Sequence, residues 1–222
     1  TGNRKEDFAH VIPLSSAVRN RLWILNIGAP NVKSWTKWAL NNDVHPYVVS
    51  FIRFDNSMLY QPPSRKDEYA SFPSPRAWAR IVSPLVKRGF SSQDIFVGAV
   101  GRAAGVAFHA YLQELKDMPD IDKILSGKET FDKKKYKDRV SIQYAITTSL
   151  FGRCSKDLQL ITPAMTRIID HIPPEIGAIF VALLLRADDR RLAAATVANR
   201  HVIEWATRHR QLIEAENNDG HV

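Results

Sequence analysis

The chain has 222 residues, of which 45% are hydrophobic and 24% are charged. This balance is typical of a soluble globular protein and is too apolar for a disordered one. No apolar run reaches the ~18 residues that a membrane helix needs. The single cysteine, Cys154, excludes an internal disulfide framework and a multi-cysteine zinc site. We therefore expect a cytoplasmic protein with no membrane partner.

The charge of the chain is strongly basic. The net charge of +8 on its own favours a polyanionic partner such as nucleic acid. The densest basic stretch covers residues 128–139, where lysines and arginines are interrupted by Glu129, Asp132 and Asp138. Because the signs are mixed there, we interpret the stretch as a solvated loop. Nucleic acid is therefore an alternative partner that we do not favour.

The hydrophobic pattern predicts a mainly helical protein. One strand is predicted at residues 23–27, a short apolar run that ends before Gly28 and Pro30. A short helix is predicted just before it, and a loop over residues 55–72, which contain two adjacent prolines. Longer helices are predicted where apolar side chains recur every three or four positions: over residues 31–42, from 45 onward, and over 75–87, 92–116, 140–151, 158–172, 174–186 and 194–215.

Several helix boundaries are also predicted from the residues that flank the apolar patterns. Asn31 and Ser74 are of the type that caps a helix N-terminus, and Pro46 suits a first helical position. Gly89 suits the position just past a helix end. Three glycines inside the predicted helix 92–116, including Gly105, each cost ~1 kcal/mol relative to alanine. We expect a close contact between helices as the reason for them.

Motifs for metal binding, nucleophilic catalysis and phosphate binding are missing from the sequence. A metal site needs clustered ligands, and only His201 and His209 among the histidines are close, with no carboxylate to complete a ligand set. A catalytic cysteine needs a histidine partner, and none lies near Cys154, which we interpret as an inert buried thiol. The Gly-x-x-x-x-Gly-Lys-Ser/Thr loop that cradles phosphates is absent.

Two arginines occupy positions that a purely structural role does not require. Arg21 lies at the junction between the predicted short helix and the predicted strand, where its guanidinium would project from a fixed backbone. Arg76 lies in the first turn of the predicted helix 75–87, which is the unfavourable end for a cation. These placements favour an anionic ligand, although each residue could also be an ordinary solvated arginine.

Six short stretches of the chain form a pattern when they are taken in order: Thr1-Gly2-Asn3-Arg4, residues 14–22, Trp35-Thr36-Lys37-Trp38-Ala39, Pro73-Ser74-Pro75-Arg76-Ala77-Trp78, residues 97–108 and residues 115–127. Through them, residues 1 to about 130 resemble the C-terminal part of MoxR-like AAA+ ATPases. Each motif is short, but their order and spacing together are specific. Beyond residue 130 we find no resemblance.

The resemblance implies a role for individual residues. Asn3 matches the sensor 1 residue that orients the attacking water, with Arg4 beside it as a further candidate. Arg21 matches the arginine finger, which acts on the nucleotide of the neighbouring subunit, and Arg19 is a second candidate for that role. Arg76 matches the sensor 2 arginine, which contacts the γ-phosphate. Arginine suits these roles because its fixed charge stabilises the transferring phosphoryl group.

The sequence departs from the family pattern in ways that limit the enzyme assignment. The Walker A lysine and the Walker B acidic pair, which should precede sensor 1, are absent. We therefore expect a C-terminal piece of a longer ATPase rather than a degenerate relative. The expected organisation is the end of an AAA+ core with one or two short strands (1–30), a helical lid carrying sensor 2 (31–130) and a helical extension (131–222).

The resemblance also implies cofactors and partners. The parent protein would use ATP and Mg²⁺, assemble with neighbouring subunits as a ring that we expect to be a hexamer, and remodel a protein substrate or adaptor. We expect no ATPase activity and no tightly bound cofactor in this piece alone. The alternative is a basic helical module that binds nucleic acid or protein without nucleotide chemistry.

Overall fold

The computed structural model describes residues 12–25, 28, 31–62 and 70–217, and within them the regular structure is helical, without a strand. The α-helices are α1 Ser16–Arg19, α2 Val32–Asn41, α3 Pro46–Phe54, α4 Pro75–Ala77, α5 Ser83–Lys87, α6 Gln93–Val100, α7 Arg102–Glu114, α8 Ile121–Leu125, α9 Lys133–Tyr136, α10 Val140–Cys154, α11 Ile161–Arg167, α12 Pro174–Leu185, α13 Arg190–Ala198, α14 Arg200–Arg208 and α15 Arg210–Asn217. The prediction of a mainly helical protein is confirmed.

One hydrophobic core joins the helices from α2 onward. Helix α3 packs against α10, and α10 packs in turn against α12. An aromatic cluster fills the space between α3, α7 and the helix that begins at Pro75, where the Phe51 ring centroid lies 5.4 Å from that of Trp78 and 5.2 Å from that of Phe108. The core extends from Trp35 to Ile213 and so includes residues on both sides of position 130.

The predicted helix starts at Asn31, Pro46 and Ser74 are present in the structure. The Asn31 side chain accepts hydrogen bonds from the backbone of Lys33 and Ser34, and Pro46 is the first residue of α3. The Ser74 hydroxyl accepts from the Ala77 backbone N–H at 3.1 Å. These caps satisfy N–H groups that a helix leaves without partners at its start.

The predicted helix 75–87 is present but contains a widened turn. A π-helical segment, Trp78–Val82, connects α4 to α5, and the Ser83 N–H donates to the Trp78 carbonyl oxygen, five residues back. Pro84 follows directly and has no N–H with which to continue an α-helical ladder. The extra residue in the turn is the local response to this proline.

The predicted single helix 92–116 is wrong, because the chain breaks at Gly101. Gly101 has a φ of 81° and separates α6 from α7. The two helices form a tight pair: a Cβ at Gly105 would lie 2.5 Å from the Val97 backbone nitrogen. The expected close contact is therefore present at Gly105, whereas a Cβ at Gly98 would meet nothing within 4 Å.

The predicted helix 194–215 is also interrupted, and the structure has α13, α14 and α15 in its place. Asn199 ends α13 and caps α14 by accepting from the backbone of His201 and Val202. His209 follows the last residue of α14. Likewise, only Ile161–Arg167 of the predicted helix 158–172 is α-helical, with short 3₁₀ segments on either side.

The strand predicted at residues 23–27 is absent from its described part. Residues 23–25 have no regular structure, and Trp23 is 88% exposed while Leu25 is 66% exposed. Residues 26 and 27 lie outside the described part of the chain. An apolar run forms a strand only when another strand pairs with it, and the described residues supply none.

Candidate functional site

The start of α4 holds the Arg76 backbone in a fixed position. The cap from Ser74 and the ring of Pro75 define the first turn, and Ala77 and Trp78 are buried beneath it. The Trp78 indole Nε1 donates to the Met58 carbonyl oxygen at 2.7 Å. One face of the first turn is thus anchored in the core, and Arg76 lies on the exposed side.

The chain that leads into α4 is anchored as well. Gln61 N donates to the Pro73 carbonyl oxygen at 3.2 Å, and the Ser71 hydroxyl donates to the Gly98 carbonyl oxygen at 2.6 Å. Ser71 also lies so close to Gly101 that a Cβ there would come within 2.3 Å of the Ser71 carbonyl oxygen. The turn that presents Arg76 therefore packs directly on the α6–α7 pair.

The guanidinium of Arg76 has no protein partner in the described part of the chain, where neither an ion pair nor a side-chain hydrogen bond holds it. The first turn of α4 contains no acidic residue to offset the charge. A cation in a first helical turn interacts unfavourably with the helix dipole, by a few tenths of a kcal/mol to about 1 kcal/mol. Arg76 therefore contributes nothing visible to the stability of its own helix.

The two finger candidates, Arg19 and Arg21, lie on a separate exposed segment. Helix α1 is capped by Ser15, whose hydroxyl accepts from the Val18 N–H at 3.3 Å, and it buries no residue. Arg19 ends α1 and Arg21 follows in the next turn. Within the described residues, no hydrogen bond or ion pair joins either side chain to Arg76 or to another group.

The remaining predicted site residues, Asn3 and Arg4, lie outside the described residues.

The groups that could perform metal or thiol chemistry are not arranged for it in the described structure. No three His, Cys, Asp or Glu side chains lie together there in a way that could hold a metal ion. Cys154 is fully buried at the end of α10, and burial raises the pKa of its thiol to about 12. The thiolate is the reactive form, so this cysteine is unsuited to nucleophilic catalysis at neutral pH.

The basic stretch 128–139 is mostly exposed and irregular, as predicted, and it also contains one short helix, α9. Asp132 caps α9 by accepting from the backbone of Lys134 and Lys135, and Tyr136 is buried. Arg139 pairs with Asp117 at 3.3 Å. Some of the charged side chains in this stretch therefore form local contacts.

A cationic cavity that the sequence analysis missed lies between α2, α3, α12 and α15. Its volume is about 410 Å³, and Arg53 lines it from the last turn of α3. Arg53 is 8% exposed. The sequence contains a signal for this burial, because Arg53 follows the fully buried Val49 by four positions and so lies on the same face of α3.

Comparisons with protein-family models, with curated proteins and with solved structures find no match to this chain. Among the described residues, no helix has both the length and the apolar character needed to cross a bilayer.

Proposed function

We propose that this chain is the C-terminal piece of a MoxR-like AAA+ ATPase, in which Arg21 acts as arginine finger and Arg76 as sensor 2. ATP hydrolysis by the parent ring, expected to be a cytoplasmic hexamer, would drive the remodelling of a protein partner. The proposal is supported by the order and spacing of the sequence motifs over residues 1 to about 130. A helical body after residue 31 is what a lid and extension require.

The observation that carries the proposal is the placement of Arg76. Its backbone is anchored through Ser74 and Trp78, while its guanidinium is exposed and, among described residues, unpaired. A side chain that contacts a γ-phosphate needs both properties, because catalysis of phosphoryl transfer depends on positioned charge. A cation that served only the helix would be placed in its last turn.

The exposure of Arg21 fits the role of a finger. An arginine finger reaches a nucleotide held by another subunit, so its own subunit should leave the guanidinium uncommitted. In the described structure Arg21 is exposed, and its guanidinium is bonded to no other described group. Arg19, the second candidate named above, has the same exposure and is the alternative finger.

Binding of ATP and Mg²⁺ would depend on residues that this chain lacks. The phosphate-binding loop is absent from its sequence, and no cluster of carboxylates that could hold a metal ion exists among the described residues. The residues of this chain would therefore stabilise charge on a nucleotide that other segments bind.

The test compares Arg76→Ala with Arg80→Ala in the longer polypeptide that contains this chain. Arg80 is also exposed and lies one turn further along the same helix. We expect Arg76→Ala to lower kcat for ATP hydrolysis by about 10²-fold, as for other single charge-stabilising groups, while Arg80→Ala stays near wild type. Equal activities of the two variants would contradict the role of Arg76.

The present chain, tested by itself, should hydrolyse no ATP above the buffer rate. Release of inorganic phosphate should be independent of chain concentration, because no loop holds the β-phosphate. Turnover that rises in proportion to the chain, and co-elutes with it in size-exclusion chromatography, would overturn the assignment.

A further inference from the structure

The cavity between α2, α3, α12 and α15 has the size of a small-molecule site. Its volume of about 410 Å³ lies within the range of ~300–1,000 Å³ that ligand pockets occupy. Neither Arg21 nor Arg76 lines it, so it is separate from the residues proposed to contact nucleotide.

The charge around the cavity is predominantly positive. Four cationic side chains line it: Lys33, Lys37, Arg53 and Arg186. Among the described residues the lining contains one carboxylate, that of Glu216, which pairs with Arg53 at 2.8 Å. The described lining thus carries an excess of positive charge, which favours an anion.

The most buried of these cations has an unused donor. The side chain of Arg53 is only 7% exposed, and its Nη2 donates to Glu216. Its Nε is buried and has no hydrogen-bond partner among the described residues. Because this nitrogen is enclosed by protein atoms, Arg53 contributes its buried positive charge to the cavity rather than this donor.

Two further cations could turn toward such an anion. Lys37 pairs with Asp188 at 2.8 Å, but this pair is largely exposed to solvent, and exposed pairs are weak. Arg186 uses Nη2 to reach the Asn217 carbonyl oxygen, which leaves its other guanidinium donors.

One wall of the cavity, formed by helix α12, is largely apolar. Ile179, Ala182 and Leu183 of this helix line the cavity, Arg186 follows at the end of the helix, and helix α2 adds Ser34. A cavity that combines cations with aliphatic groups fits a ligand with an anionic group on an apolar body, because each part then meets a complementary surface.

We propose that this cavity binds a small organic oxyanion. The phosphate or carboxylate group lies against Arg53, Lys37 and Arg186, and the apolar body of the ligand lies against the α12 wall.

Binding is tested by titrating the chain with four probes at constant ionic strength, followed by backbone amide NMR shifts. The probes are phenyl phosphate, benzoate, inorganic phosphate and benzyl alcohol. We expect saturable shifts in α2, α3 and α12 with phenyl phosphate or benzoate, whichever oxyanion geometry the site prefers. Weaker binding of inorganic phosphate and of benzyl alcohol is expected. Absence of saturable shifts in these helices with both aromatic anions would overturn the proposal.

Variants then locate the site. Lys37→Gln and Arg186→Gln each remove one cation and should weaken binding of the aromatic anion by about tenfold, the worth of one charge-assisted hydrogen bond. Lys116→Gln, an exposed lysine that does not line the cavity, is the matched control and should bind like wild type. If Arg186→Gln unfolds, the affinity of Lys37→Gln alone decides whether the anion binds in the cavity, because Lys37 is a surface lysine. Equal affinity of Lys37→Gln and Lys116→Gln would contradict the assignment.

Discussion

His45 shows how burial and a single hydrogen bond fix the protonation state of one residue. Its Nδ1 accepts from the Tyr47 N–H at 3.1 Å at the start of α3, so this nitrogen must be unprotonated. Burial, together with the nearby charge of Lys87, lowers the pKa of His45 from its ordinary value of 6.5 to about 4. The nearby carboxylate of Asp43 opposes this shift but is itself paired with Lys87.

The stability of the fold should therefore depend on pH through His45. Between pH 4 and 6.5 the unfolded chain binds more protons than the folded one, so the free energy of unfolding rises with pH across this window. We expect a contribution on the order of 2 kcal/mol, complete above pH 6.5 and lost as the pH falls towards 4. The full shift would give more, but the ring is only half-buried. Denaturant unfolding at several pH values measures it.

His45→Asn is the control, because asparagine also caps helices but does not titrate. In this variant the rise in stability between pH 4 and 6.5 should largely disappear. An unchanged pH profile would show that another group causes the dependence.

Two glycines, one in each helix of the α6–α7 pair, should change the stability of the fold in opposite directions when they are replaced by alanine. Gly105→Ala places a methyl group 2.5 Å from the Val97 backbone nitrogen, so the α6–α7 pair must move apart. We expect a loss of about 1–3 kcal/mol in unfolding free energy, as for other overpacked sites. Gly98→Ala meets nothing within 4 Å and should gain up to ~1 kcal/mol from helix propensity. Chemical denaturation of both variants checks this, and a stable Gly105→Ala would refute the close packing.

At the scale of helices, residues that cap or break a helix determine where it begins and ends, which apolar periodicity alone does not predict. The pattern of residues 92–116 is continuous, yet Gly101 adopts a positive φ and turns the chain. The pattern of residues 194–215 is continuous too, yet Asn199 caps a new helix. The spacing of apolar residues predicts which face of a helix is buried, but it does not predict where the helix ends. Two consecutive helices can therefore have one continuous apolar pattern. Starts marked by Asn31, Pro46 and Ser74 could be predicted because each residue has a specific capping role.

Asn199 should be required for the break between α13 and α14. Its Oδ1 accepts from the His201 and Val202 N–H groups at 3.1 and 3.3 Å, and its Nδ2 donates to the Thr162 hydroxyl. Asn199→Ala removes the cap and should cost ~1 kcal/mol, whereas Asn199→Asp retains the acceptor and should lose less. Thermal unfolding measures the loss of stability in both variants. Equal losses would indicate that Asn199 stabilises the fold through its contact to Thr162 rather than through the cap.

At the scale of the whole molecule, the helical class and the exposed positions of Arg21 and Arg76 could be predicted from the sequence, whereas the cavity could not. Arg21 and Arg76 could be singled out because their local positions are informative without tertiary structure. The cavity depends on pairing of distant segments: Lys33 on α2 donates to the carbonyl oxygen of Ala215 on α15, 182 residues away. No local pattern encodes that contact. Residues 23–25, the described part of the predicted strand, form no strand for the same reason, because an apolar run needs a tertiary partner.

We propose that Arg21 acts on a nucleotide bound by a neighbouring subunit. The most direct measurement is the ATPase rate of mixed subunits of the longer polypeptide. One subunit carries Arg21→Ala with an intact phosphate-binding loop, and the other carries a disabled loop with Arg21 intact. Each should be inactive alone. Mixing them should restore hydrolysis, because one interface in the mixed ring combines an intact loop with an intact finger. A mixture as inactive as its two components, in rings shown to be mixed, would contradict the account.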